Sequence, residues 1–447
     1  MAVYEDGEKW PGGKTSVTVS GRSSFSRTSA NMPANRRLDF SIGDAFFKQP
    51  WVAAPDPSSH RDGLGPIFNT NACENCHIRD GRGHAPKGGD LNNVSMLVRI
   101  SIPPETEEDK KILLTEGVVP HPVYGAQIQD FALPGVAPEA KIRVRYEYST
   151  ETFRDGHKVQ LRKPVLSLED PGYGPLPDNL MMSPRLSSPM IGLGLIEAIS
   201  DSSLLANEDV EDRDGNGISG RVNRVWDIEK QITVIGRFGW KAGQPNLKQQ
   251  SAGAFQGDMG ITSSLFPDDN CTPSQKACKE NYQKEGVDVS DSILDKVVFY
   301  SRNLAVPLRQ DSMNKEILKG KKLFADVLCT GCHIPKFVTA NLKTHPEQSR
   351  QKIWPYSDFL LHDMGEGLAD NRPEFLADGR EWRTPPLWGI GKTKMVHEKA
   401  TFLHDGRART IMEAILWHGG EAEAAKKKVL AMDTQQRKLL LKFIRSL

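Results

Sequence analysis

The 447-residue chain contains no apolar run of about 18 residues, the length a bilayer-spanning helix needs. An excess of one charge is also missing, since 58 Lys and Arg face 57 Asp and Glu. Neither nucleic acid nor an anionic membrane surface is therefore an expected partner. Aromatic residues are few, at 7%, and the hydrophobic fraction is a modest 38%. Low-complexity tracts and short repeats are absent, which excludes a solenoid. Residues 1–9 are polar and hold no apolar signal core. If the protein is exported, its signal peptide is not in this sequence. Glycine (39) and proline (29) are plentiful and predict many loops and short helices.

Cysteine is scarce but ordered. The six residues fall into the pairs Cys73/Cys76, Cys271/Cys278 and Cys329/Cys332, and His77 and His333 follow two of these directly. Cys-Glu-Asn-Cys-His at 73–77 and Cys-Thr-Gly-Cys-His at 329–333 both read as C-x-x-C-H, the attachment signature of c-type haem. Two thioether bonds and one iron–imidazole bond must meet a single rigid macrocycle, which is why the spacing is fixed. From this composition about 0.002 such motifs are expected by chance. A zinc or redox C-x-x-C site is the alternative. Zinc would want a second pair or distant histidines at matching spacing, and the histidine directly after both pairs fits haem better. Haem attached in this way is added outside the reducing cytosol. The Cys271/Cys278 pair encloses a short loop and reads as a disulfide suited to an oxidising compartment, with two free thiols as its alternative. Both features point to a periplasmic location.

The flanks predict helices. Ile317, Leu318, Leu323 and Phe324 mark an amphipathic helix leading into the second motif, and Leu38–Phe47 is similar. Phe68 and Phe324 each precede a motif by five residues. The expected fold is mainly α with extensive loops and a small β insertion, in two cytochrome c-like haem domains, 1–290 and 291–447. Strand-like alternation at 141–148 and proline-rich turns at 170–189 mark the insertion, which either shapes access to the first haem or covers it.

These motifs, with Asn71–Arg82, Phe238–Lys241, Gly257–Gly260 and Phe402–Thr410, make the chain resemble the di-haem oxidoreductases from about residue 35 onward. That family is related to the bacterial di-haem cytochrome c peroxidases and to MauG-type protein-oxidising enzymes. The resemblance implies that Trp240 lies between the haems as an electron relay, and that Gln250 and Asp258 line the distal pocket of the N-terminal haem. Asp258 stands where the peroxidases have glutamate. A carboxylate near an open iron site suits proton transfer between peroxide oxygens. The plainer readings are that Asp258 caps a helix starting near Met259 and that Trp240 is a core residue.

Fourteen residues past His404 comes His418, at the end of an expected helix over 410–417. It is the candidate sixth ligand of the second haem, against a histidine merely favoured by the helix dipole. Met364 and Met395 are rivals. His84, His121 and the acid Glu197 are weaker candidates near the first haem, which is expected to be five-coordinate or water-bound. Asp212, Asp214 and Asn216 begin like a calcium loop, with a polar turn as the equal alternative.

The resulting expectation is a periplasmic di-haem oxidoreductase of the peroxidase type. Peroxide or another small oxidant reacts at the N-terminal haem, and a small redox protein or cytochrome supplies electrons through the C-terminal one. The alternative is an electron-transfer cytochrome without a substrate of its own.

Overall fold

The computed structural model describes residues 3–57, 60–91, 94–282 and 286–447. Short helices and small antiparallel sheets are joined by long loops. Among these residues no helix is long and apolar enough to cross a membrane.

Two hydrophobic cores organise the chain, each around a helix pair that crosses at a glycine. In the first, helix Arg37–Lys48 lies on helix Asp291–Arg302. A Cβ on Gly43 would stand 2.1 Å from the Lys296 carbonyl oxygen and 2.7 Å from Tyr300 Cβ. In the second, helix Lys315–Asp326 lies on helix Thr434–Ser446. Here a Cβ on Gly320 would stand 2.1 Å from the Leu439 carbonyl oxygen and 2.7 Å from Phe443 Cβ. Four residues after each glycine, on the same helix face, comes a phenylalanine. Phe47 packs on Tyr300 at 5.3 Å between ring centres, and Phe324 packs on Phe443 at 5.3 Å. The same crossing is thus built twice.

Both expected flanking helices form, because their apolar residues recur with helical period and turn to these cores. Phe68 does not play the part of Phe324. It sits in the two-residue strand Ile67–Phe68, stacked on Phe131 at 6.1 Å. The counterpart of Phe324 is Phe47, which reaches the first motif from farther along the chain. Helix Asp291–Arg302 supplies Leu294, Val297, Val298 and Tyr300 to the first core, although it lies past residue 290.

The insertion is larger than a local β element. Strands Lys141–Thr152 and Lys158–Glu169 pair along their full lengths, from Lys141 opposite Glu169 to Thr152 opposite Lys158. Ile142 and Val144 at its base pack with Val98 and Ile100, whose strand Met96–Ser101 pairs with Met181–Leu186 inside the proline-rich stretch. At the far end Phe153 and Leu161 enter the second core beside Phe324 and Phe443. Arg437 bonds Asp155 at 2.7 Å, and Arg162 donates to the carbonyls of Gly406 and Arg407. The hairpin is a strap that ends in the second core.

Replacing Gly320 with Val forces the backbones apart and is expected to destabilise the protein by roughly 1–3 kcal/mol. Gly257→Ala, whose added Cβ meets nothing within 4 Å, is the control and should be neutral or stabilising. Denaturant unfolding measures both, and equal midpoints would contradict the glycine-dependent crossing.

Candidate haem sites

Cys73–Cys76 forms one helical turn, and Cys329–Gly331 forms a 3-10 turn. Each turn delivers the following histidine into a half-buried position. His77 Nδ1 lies 2.8 Å from the Ser188 carbonyl oxygen, and His333 Nδ1 lies 2.8 Å from that of Tyr356. A carbonyl only accepts, so Nδ1 carries the proton and Nε2 keeps its lone pair. Burial pushes both imidazoles down to about 4, which keeps them neutral. Phe47 lies 6.0 Å from His77 and Phe324 6.1 Å from His333, so the repeated crossing also supports the repeated imidazole.

The thiols argue against a redox pair. Burial pushes Cys73 and Cys329 up to about 12, whereas a reactive C-x-x-C cysteine needs a lowered value. Cys332 comes close to Asp358 and His362, but His362 has already committed both nitrogens. Its Nδ1 meets Glu421 at 2.6 Å and its Nε2 meets Asp358 at 2.8 Å. Burial disfavours charge on His362, yet the two carboxylates outweigh it and hold the group well above its ordinary range. The donor set at both pairs therefore fits a haem iron, with a neutral nitrogen presented beside two unreactive thiols.

A cavity of about 250 Å³ opens beside the second pair. Cys329, Cys332 and His333 line it together with His418, Met364 and His404. His418 follows helix Ile411–Leu416, which Thr410 caps, and its Nδ1 lies 2.7 Å from the Ala414 carbonyl oxygen. It is thus a third half-buried imidazole, and among the described residues its Nε2 makes no hydrogen bond. Met395 is elsewhere, at the surface, where its sulfur accepts from the Gly21 amide. The same cavity wall includes Trp240 and Ser188, whose carbonyl holds His77. Trp240 Nε1 donates to the Leu186 carbonyl at 2.8 Å. His404 stacks on Trp382 at 3.7 Å and meets Trp240 edge-on at 6.4 Å.

Near the first pair the chemistry is carboxylate and amide. Asp258 is the penultimate residue of helix Leu247–Met259, which Gly260 closes in a left-handed conformation. The expected helix start at Met259 is in fact a helix end, so Asp258 is not an N-cap. Burial raises its pKa, against Arg99 and a 2.9 Å bond from Gln127. Its charge is felt by both Cys73 and Cys76. Gln127 also bonds Asn69 at 2.6 Å, and Asn69 bonds Asp130 at 2.7 Å. Gln250 is on the same helix but eight residues earlier, about 12 Å along the axis, and faces Gly239.

The remaining candidates have structural partners. Glu197 accepts from the Leu247 amide and from Arg302 at 2.7 Å. His121 accepts from the amides of Val123 and Tyr124. His84 pairs with His397 at 3.1 Å. Cys271 and Cys278 form a disulfide. Sequence reasoning missed Gln127, Asn69 and Asp130. The local signal of Gln127 and Asp130 is the polar alternation around buried Ile128, and Asn69 has none of that kind. It also missed Asp209, which converges with Asp212 and Asp214, whereas Asn216 turns its oxygen to the Ile218 amide.

Two lobes each set a neutral, half-buried imidazole beside an unreactive thiol pair, a donor set that fits two haems. A family model described as "Di-haem oxidoreductase, putative peroxidase" matches residues 4–447, and the chain belongs to this family. Hydrazine synthase of Kuenenia stuttgartiensis, solved under 20 bar of xenon, is similar at 20% identity and TM-score 0.24 over 40% of this chain. The match spans 63% of that neighbour's length. No curated protein matches the chain.

The His362 clamp makes a pH prediction. Its folded pKa exceeds its unfolded one, so its contribution is complete below the unfolded value of about 6.5 and is lost as pH rises toward the folded value. Stability of the holoprotein should fall as pH rises above neutral, and His362→Gln should flatten that slope. Unfolding at a series of pH values measures it, and equal slopes would refute the clamp.

Proposed function

We propose that this protein is a c-type di-haem oxidoreductase that reduces peroxide or a similar small oxidant, using electrons from a small redox protein or cytochrome. Cys73, Cys76 and His77 would hold one haem, and Cys329, Cys332 and His333 the other. The repeated glycine crossing, with its phenylalanine on each histidine, supports two cytochrome c-like units. Helix Asp291–Arg302 then belongs with the first unit, and the division falls after it rather than at 290.

The observation that carries the proposal is an asymmetry. A second imidazole, His418, shares the cavity of His333, while a half-buried carboxylate, Asp258, acts on the first thiol pair. His418 would join His333 in holding the second haem, and an imidazole there would lower its potential relative to a methionine. Bound at these sites, the two irons supply one-electron storage and, at the first, a position for a small oxidant.

Asp258 holds and moves the proton. Its raised pKa suits a group that must both give and take one, and Gln127 fixes one of its oxygens. Gln250 lies about 12 Å from Asp258 along the same helix, with its side-chain oxygen near Gly239. As an electron relay, Trp240 is supported by its place in a wall that also holds Ser188, the anchor of His77. The Cys271–Cys278 disulfide supports a periplasmic location. Asp209, Asp212 and Asp214 support a calcium site. Ile218 just beyond them packs against Gly331 of the second motif, so an ion there would brace that loop.

Asp258→Asn should keep two haems per chain, counted as pyridine haemochrome. Its reaction with hydrogen peroxide in stopped flow should slow by about 10²-fold or more. An unchanged rate would overturn this proton path.

A further inference from the structure

A guanidinium buried without an anion is heavily penalised, because the lost hydration is not replaced. Two arginines in the wall of the second cavity stand in that position. Arg82, five residues after His77, donates through Nε to the Thr401 carbonyl and through Nη2 to the Leu403 carbonyl. Its plane lies over Trp240, 5.0 Å from the ring centre. Arg383 donates through Nε to the Gly239 carbonyl at 3.0 Å and through Nη1 to the Thr384 carbonyl at 3.2 Å. Its backbone amide bonds the Trp240 carbonyl at 2.8 Å. All these partners are neutral.

The carboxylates whose fields reach the two arginines are already committed. Asp405 pairs with Arg407 at 2.7 Å, and Asp358 pairs with His362 at 2.8 Å. Burial accordingly pushes Arg82 and Arg383 down to about 10. Among the described residues no hydrogen bond or ion pair reaches Nη1 of Arg82 or Nη2 of Arg383. Both side chains border the cavity, Arg82 over the Trp240 ring and Arg383 against the backbone of Gly239 and Trp240. Two cations with spare planar donors are a receptor for carboxylates.

We propose that Arg82 and Arg383 are the anion-binding residues of this cavity, that their ligands are haem propionate carboxylates, and that the resulting ion pairs tune the charge around Trp240. The proposal rests on the haem reading above and deepens it. Unpaired, the two cations would oppose removal of an electron from the indole. Paired with propionates, they keep those acids ionised and leave Trp240 in a nearly neutral setting.

The test is a spectroelectrochemical titration of the holoprotein from about pH 6 to about pH 9. In the wild type, both haem potentials should be nearly independent of pH, because the paired propionates stay ionised throughout. In Arg82→Gln or Arg383→Gln, one haem potential should fall as pH rises. A propionate that has lost its cation titrates in this range, and its ionised form favours ferric iron. The corresponding Lys variants should restore a flat profile. Gln variants that carry two haems and titrate like the wild type would overturn the proposal. If the Gln variants do not accumulate, redox-difference infrared spectra of wild type grown on nitrogen-15 guanidino-arginine decide it. Isotope-sensitive guanidinium bands that change on reduction are expected, and their absence would overturn it. Failure of the wild type itself to bind haem would instead refute the underlying haem assignment.

Discussion

The structure depends on one hydrogen bond made twice. The imidazole that follows each cysteine pair gives its Nδ1 proton to a backbone carbonyl, Ser188 in one lobe and Tyr356 in the other. That bond selects the tautomer, fixes the ring plane and leaves Nε2 as the donor. It also explains why chain far from each motif is needed. Ser188 lies 111 residues after His77 and Tyr356 lies 23 after His333, so the insertion before Ser188 has to return to the first lobe. The strap hairpin is part of that return, and its tip is held in the second core by Phe153 and Leu161.

Around this frame the two lobes differ where chemistry requires it. The second has a spare imidazole and an apolar wall of Ile411, Ala414 and Ile415. The first has a hydrogen-bonded set of Asp258, Gln127, Asn69 and Asp130. His404 is in ring contact with both Trp240 and Trp382, and cations stand over both indoles. Lys241 stands 4.6 Å from the Trp382 ring centre and pairs with Asp370 at 2.8 Å. Buried charge at such a junction is stable only when each cation has a partner. Among the described residues Lys241 has an anionic partner, whereas no ion pair is made by Arg82 or Arg383.

Much of this was legible in the sequence. C-x-x-C-H is a local constraint, and helices Arg37–Lys48 and Lys315–Asp326 announce themselves by apolar period. His418 was legible through the capped helix before it. The helix-crossing role of Gly43 and Gly320 was not, because a glycine needed for close approach looks like any other until its neighbour is known. Backbone carbonyls such as those of Ser188 and Tyr356 carry no side-chain signature at all. Phe47 was overshadowed by Phe68, whose spacing from the cysteines imitates that of Phe324. Gln127 and Asp130 belong to the core that the insertion completes, and long-range pairing of that kind leaves only weak alternation in one sequence.

The most direct test of the asymmetry is an EPR spectrum of the diferric holoprotein, before and after hydrogen peroxide. The account predicts one high-spin signal that peroxide consumes, beside one low-spin signal with the g-values of two imidazole ligands. Two low-spin signals, both indifferent to peroxide in the diferric and half-reduced protein, would contradict it and describe an electron carrier.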